Sequence, residues 1–139
     1  MKNVYQNSKI LSKGEFKKIE KAFKKAWSRE TTFADVYDEW SQENKAFGQC
    51  LVTAAIINDL YGGRLIYDKN NKHYWNELPD GSEQDFSRCQ FKDERIFSVT
   101  KYKTKEEALY DDYGIKRNTA KRYRLLIQKF QEAYKNLTS

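Results

Sequence analysis

The chain has 139 residues, a net charge of +6 and 15 % aromatic residues. That length suits one compact domain with a core of its own, and the aromatic content argues against disorder. The longest apolar run, LVTAAII, is too short to span a bilayer, and MKNVYQNSKILSKGEF lacks the apolar stretch of a signal peptide.

A reducing cytoplasm is therefore the expected compartment, with Cys50 and Cys89 as free thiols and no membrane association. Positive charge gathers towards the two ends, at Lys13, Lys17, Lys18, Lys21, Lys24 and Lys25 and again from Lys116 to Arg124. Such faces are usually just solvated, and an anionic partner is the other reading. Interleaved acids and the lack of a recognised binding motif argue against nucleic acid.

In chain order, Phe16, Ile19, Phe23, Ala26 and Trp27 recur at helical spacing, which predicts an amphipathic helix over 13–29. Ser12 is its expected N-cap, with Glu15 completing a capping box. A short second helix is expected over 33–40. Residues 49–61 then read as an apolar helix with almost no polar face, buried on several sides and ended by Gly62-Gly63. Strands are expected over 64–67, 73–78, 83–87 and 95–102, with Pro79-Asp80-Gly81 as a tight turn. A short helix or turn follows over 105–110. The last helix, 119–137, carries an apolar stripe of Tyr123, Leu126, Ile127, Phe130, Tyr134 and Leu137, with Asn118 or Thr119 as cap. The order is α+β: a central cysteine helix on a small antiparallel sheet, flanked by N- and C-terminal helices.

Cys50 opens the apolar helix, just after Gly48-Gln49. A thiol there faces unpaired backbone N–H groups and the positive end of the helix dipole, and both favour the nucleophilic thiolate. The chain has one histidine, His73. A three-residue hairpin loop at 79–81 would make opposed residues sum to 160, placing His73, Trp75, Glu77, Asp85 and Ser87 on one face. Asp85 is then the diagonal neighbour of His73, within reach of its imidazole. A one-residue slip would undo this.

These parts suit thiol chemistry, with Cys50 as nucleophile, His73 as base and then acid, and Asp85 holding the imidazole. Backbone N–H groups near Cys50, with the Gln49 amide, are candidates for stabilising an oxyanion. Trp75 would shield the His–Asp pair from water or contact substrate. One histidine and two separated cysteines give no metal-ligand spacing, so neither metal nor cofactor is expected.

Gly48-Gln49-Cys50 before an apolar helix resembles the nucleophile segment of transglutaminase-like proteins. His73-Tyr74-Trp75-Asn76-Glu77 resembles their His-x-Trp segment, whose histidine belongs to the catalytic triad, and the acid on the next strand matches Asp85. The fold implied is papain/transglutaminase-like. Over 27–91 the chain is also similar to the YunG family of small bacterial proteins. That likeness rests on FGQCLVTAAIINDLYGG, HYWNELPDG and DFSRCQF.

Leu51 stands where transglutaminases often carry tryptophan, and the Cys50–His73 spacing is far shorter than theirs, so crosslinking is not carried over. Papain-type proteases place their oxyanion glutamine well before the cysteine, so Gln49 is not that residue. The expectation is an acyl-transfer enzyme acting on an acyl or peptide-like substrate through a thioester. The rival reading is a non-catalytic binding or scaffold domain in which Cys50 is inert.

Overall fold

The computed structural model describes residues 11–138. Helix α1 (Lys13–Ala26) buries Ile19, Ala22, Phe23 and Ala26 and leaves its lysines on the opposite face. Ser12 Oγ caps it by accepting from Glu15 N at 3.1 Å. The expected reciprocal bond does not form. The Glu15 carboxylate instead accepts from Tyr134 Oη at 2.5 Å, tying the first helix to the last. The helix stops at Ala26, short of residue 29, because Trp27 turns extended. Two 3-10 segments follow, Arg29–Thr31 and Ala34–Glu39, the latter in place of the expected helix.

Helix α2 (Cys50–Tyr61) is buried continuously from Leu51 to Ile57. One side packs against α1 and the C-terminal helix α5 (Thr119–Thr138), through Ile19, Phe23, Trp27, Val52, Ile56, Leu126 and Phe130. Another side meets the sheet through Leu51, Ala54, Leu65 and Tyr74. Each such buried side chain contributes about 1.5–3 kcal/mol, so a helix covered on both sides needs no polar face. Two polar groups fix its seat: Trp27 Nε1 donates to Thr53 Oγ1 at 2.9 Å, and Asn76 Nδ2 donates to Ala54 O at 2.8 Å.

The sheet is antiparallel, in the order β3-β2-β1-β4. Strands β1 (Arg64–Asp68) and β2 (His73–Glu77) pair along their full length. Gly63, at φ +83°, leaves room for the close pass of Glu77 O, which a Cβ would meet at 2.0 Å. The turn at 79–81 closes as a three-residue loop. Leu78 N donates to Ser82 O at 2.8 Å, Gly81 N donates to Leu78 O at 2.9 Å, and Gly81 takes φ +88°. Asn76 therefore opposes Gln84, and Glu77 opposes Glu83.

Two strands are shorter than expected. β3 (Glu83–Gln84) ends early because the Asp85 carboxylate takes the Ser87 N–H at 3.2 Å and turns the chain into a 3-10 segment, Arg88–Gln90. Residues 95–100 are not strand. Their polar groups bond to the turn after β1, where Asp68 Oδ2 accepts from Ser98 N at 3.0 Å and Asn71 Nδ2 donates to Ile96 O at 2.9 Å. Backbone bonding to β1 begins at Thr100, whose N–H donates to Tyr67 O at 2.7 Å, and the strand itself, β4, spans Lys101–Lys103. Helices α3 (Lys105–Tyr110) and α4 (Asp112–Lys116) lead into α5. Among the described residues no helix is long and apolar enough to cross a membrane.

Candidate functional site

Gly48 controls the approach to Cys50. Its φ is +75°, and a Cβ there would lie 2.2 Å from Thr32 Oγ1, so only glycine fits. The chain then enters α2 directly. The first helical bond runs from Thr53 N to Gln49 O at 3.0 Å, and no carbonyl among the described residues pairs with the N–H groups of Cys50, Leu51 and Val52. Cys50 is half-buried and unbridged, with Sγ 4.0 Å from Lys72 O.

His73 opens β2 and has no solvent exposure. Its Nε2 stands 2.6 Å from Asp85 Oδ2, and the Cys50 thiol lies near enough to help raise its pKa. Asp85 holds Nε2, which leaves Nδ1 on the other side of the ring. The same carboxylate oxygen also accepts from Arg88 Nε at 2.6 Å. Three rings enclose the imidazole: Trp75 stacked at 5.7 Å, Phe91 edge-on at 4.9 Å and Phe97 at 5.5 Å. Burial pushes the imidazole pKa down, but the bond to Asp85 and the contact with Cys50 outweigh it and raise it to about 9.

Trp75 is 4 % exposed, and its Nε1 donates to Glu83 Oε1 at 2.8 Å. That position suits shielding of His73 and leaves no open ring face for a substrate. Gln49 departs from expectation more sharply. It is fully buried, its Nε2 donates to Ser28 O at 2.9 Å, and its Oε1 accepts from Thr31 Oγ1 at 2.8 Å. Its amide anchors the 28–31 loop and is not directed at the thiol.

The amide at the site belongs to Gln90. Its Nε2 lies 3.4 Å from His73 Nδ1 and 3.3 Å from Ser87 O, while its Oε1 accepts from Gly48 N at 3.4 Å. The Asn44 side chain donates to its carbonyl at 3.0 Å. Gln90 thus joins the segment that presents the thiol to the strand that presents the imidazole. The DFSRCQF segment carried this residue, but nothing in its spacing pointed to the chain reversal at 85–90. Among the described residues no three His, Cys, Asp or Glu side chains gather as a metal would need.

A family model described as "YunG protein" matches residues 15–135, which include Cys50, His73, Asp85 and Gln90. The chain belongs to the YunG family. One YunG relative, from Bacillus subtilis (strain 168), is named "Uncharacterized protein YunG" and is 33 % identical over 70 residues. The match covers 49 % of this chain and 56 % of that relative, so the chain spans little more than half the relative's length. No solved structure matches.

Proposed function

We propose that this YunG-family chain is a cysteine-dependent acyl-transfer enzyme of papain/transglutaminase-like design, with Cys50 as nucleophile, His73 as proton carrier and Asp85 as its orienting acid. The observation that carries the reading is the 2.6 Å bond of the fully buried His73 to Asp85, with the Cys50 thiol near enough to add to the rise in the imidazole pKa. A carboxylate on one nitrogen helps the ring hold a proton at neutral pH, in keeping with its pKa of about 9, and that proton is the one a leaving group takes.

In the first half-reaction Cys50 Sγ, as the thiolate beside protonated His73, attacks an amide or ester carbonyl. The carbonyl electron pair moves to oxygen. Collapse of that intermediate expels the amine or alcohol, which takes the proton from His73, and leaves a thioester on Cys50. Water or an amine then attacks the thioester with His73 acting as base. Trp75, Phe91 and Phe97 keep water from the His73–Asp85 pair, which strengthens their interaction. The substrate is an acyl or peptide-like compound.

The test is to incubate the protein with p-nitrophenyl acetate and look by mass spectrometry for a hydroxylamine-labile acetyl group on Cys50. Its presence in wild type and loss in His73→Gln supports the reading. One observation favours the rival, a binding or scaffold domain: His73 has no solvent exposure. Absence of a Cys50 adduct in the folded protein would decide for that rival.

A further inference from the structure

We propose that Gln90 is a catalytic residue, its side-chain amide donating to the oxyanion that forms when Cys50 adds to a carbonyl. The inference rests on the acyl-transfer reading of the site.

Gln90 Nε2 has two hydrogens. One is directed to Ser87 O at 3.3 Å, and the other approaches His73 Nδ1 at 3.4 Å. With its pKa raised to about 9, the imidazole is protonated at neutral pH, so Nε2 is held by Asp85 and Nδ1 carries a hydrogen of its own. A protonated Nδ1 does not accept, so the second Gln90 hydrogen finds no acceptor there. It is available to the negative oxygen that forms on a carbonyl attacked by Sγ.

Preorganised donors count in catalysis when they meet charge that appears only in the transition state. The Gln90 amide is fixed from both ends, with Oε1 on Gly48 N–H and the backbone carbonyl on Asn44. The Cys50 N–H, which no carbonyl among the described residues pairs, supplies a second donor at the helix start. Gln49, adjacent in sequence, is engaged with Ser28 and Thr31 and is not available for this role.

Two probes separate an oxyanion donor from a merely structural glutamine. Acetylation of Cys50 by p-nitrophenyl acetate passes through a tetrahedral oxyanion. Attack of sulfur on the carbon of iodoacetamide displaces iodide and forms none. In Gln90→Ala, and in Gln90→Met, which fills the same space, acetylation of Cys50 is expected to slow by roughly 10²–10³-fold while alkylation changes little. Thermal melts identify whichever variant retains the fold.

Equal loss of both reactions in a folded variant would assign Gln90 a positioning role and overturn the proposal. Unchanged acetylation would overturn it and leave the acyl-transfer reading standing. Failure of the wild type to acetylate at Cys50 would overturn both.

Discussion

His73 Nε2 and Asp85 Oδ2 stand 2.6 Å apart on adjacent arms of a hairpin, and the other imidazole nitrogen faces the Gln90 amide at 3.4 Å. Replacing Asp85 with Asn removes the charge and keeps the shape. The His73 pKa is then expected to fall from about 9 towards or below its ordinary value, because burial is left with less to oppose it. As the chain has one histidine, its ring resonances in an NMR titration report this directly. A titration unchanged in Asp85→Asn would show that the carboxylate does not hold the ring.

The same coupling sets a pH dependence of stability. An imidazole pKa of about 9 in the folded protein lies above the ordinary 6.5 of the unfolded chain, so folding favours the protonated form. This stabilisation is full below pH 6.5 and is lost as pH rises through 9. Urea midpoints are expected to fall across that interval in wild type and to fall less in His73→Gln.

Gln49 and Gln90 are expected to separate cleanly. Gln49→Ala removes two buried hydrogen bonds, to Ser28 O and from Thr31 Oγ1, at a cost of about 0.5–1.5 kcal/mol each. The loss is read as a lowered denaturation midpoint. Cys50 acetylation in the folded variant should stay within a few-fold of wild type, because the amide is not directed at the thiol.

Asp68 anchors the segment that covers His73. Its carboxylate accepts from Asn70 N, Asn71 N, Asn71 Nδ2 and Ser98 N, at 2.8–3.3 Å. Those bonds outweigh burial and hold its carboxyl below the usual range. Asp68→Ala is expected to loosen residues 92–100, read as faster cleavage there in limited proteolysis. Cleavage at the wild-type rate would show that ring packing and the bonds of Ile96 and Thr100 hold the segment without Asp68.

Much of the site could be read from local chemistry. Pro79-Asp80-Gly81 fixed the hairpin register, and the register put Asp85 on the His73 face, although the ladder itself ends at Gln84. A turn with a glycine at φ +88° admits few alternatives, and so its consequences extend several residues along the strands. Cys50 at the helix start was legible for the same reason, as Gly48 can turn where no other residue fits.

The amides were not legible. Gln49 stands next to Cys50 in sequence, yet the helix start directs its side chain into the 28–31 loop. Gln90 arrives only through the reversal that Asp85 and Ser87 create. The RIFSVTKY run has strand-like composition, but its Ile96 is 91 % exposed, and side chains of the β1–β2 turn take the bonds that a neighbouring strand would have supplied. Composition records propensity and carries no record of such long-range capture.

The most direct test of the Cys50–His73 pairing is the rate of iodoacetamide alkylation at each cysteine, followed by mass spectrometry at neutral pH. Cys89 is a slow reference, because burial pushes its thiol pKa up, and the urea-unfolded chain is the ordinary one. The account predicts that Cys50 reacts roughly tenfold or more faster than Cys89 and than the urea-unfolded chain, and that His73→Gln abolishes the advantage. Alkylation of Cys50 no faster than in the unfolded chain, or unaffected by loss of His73, would contradict it.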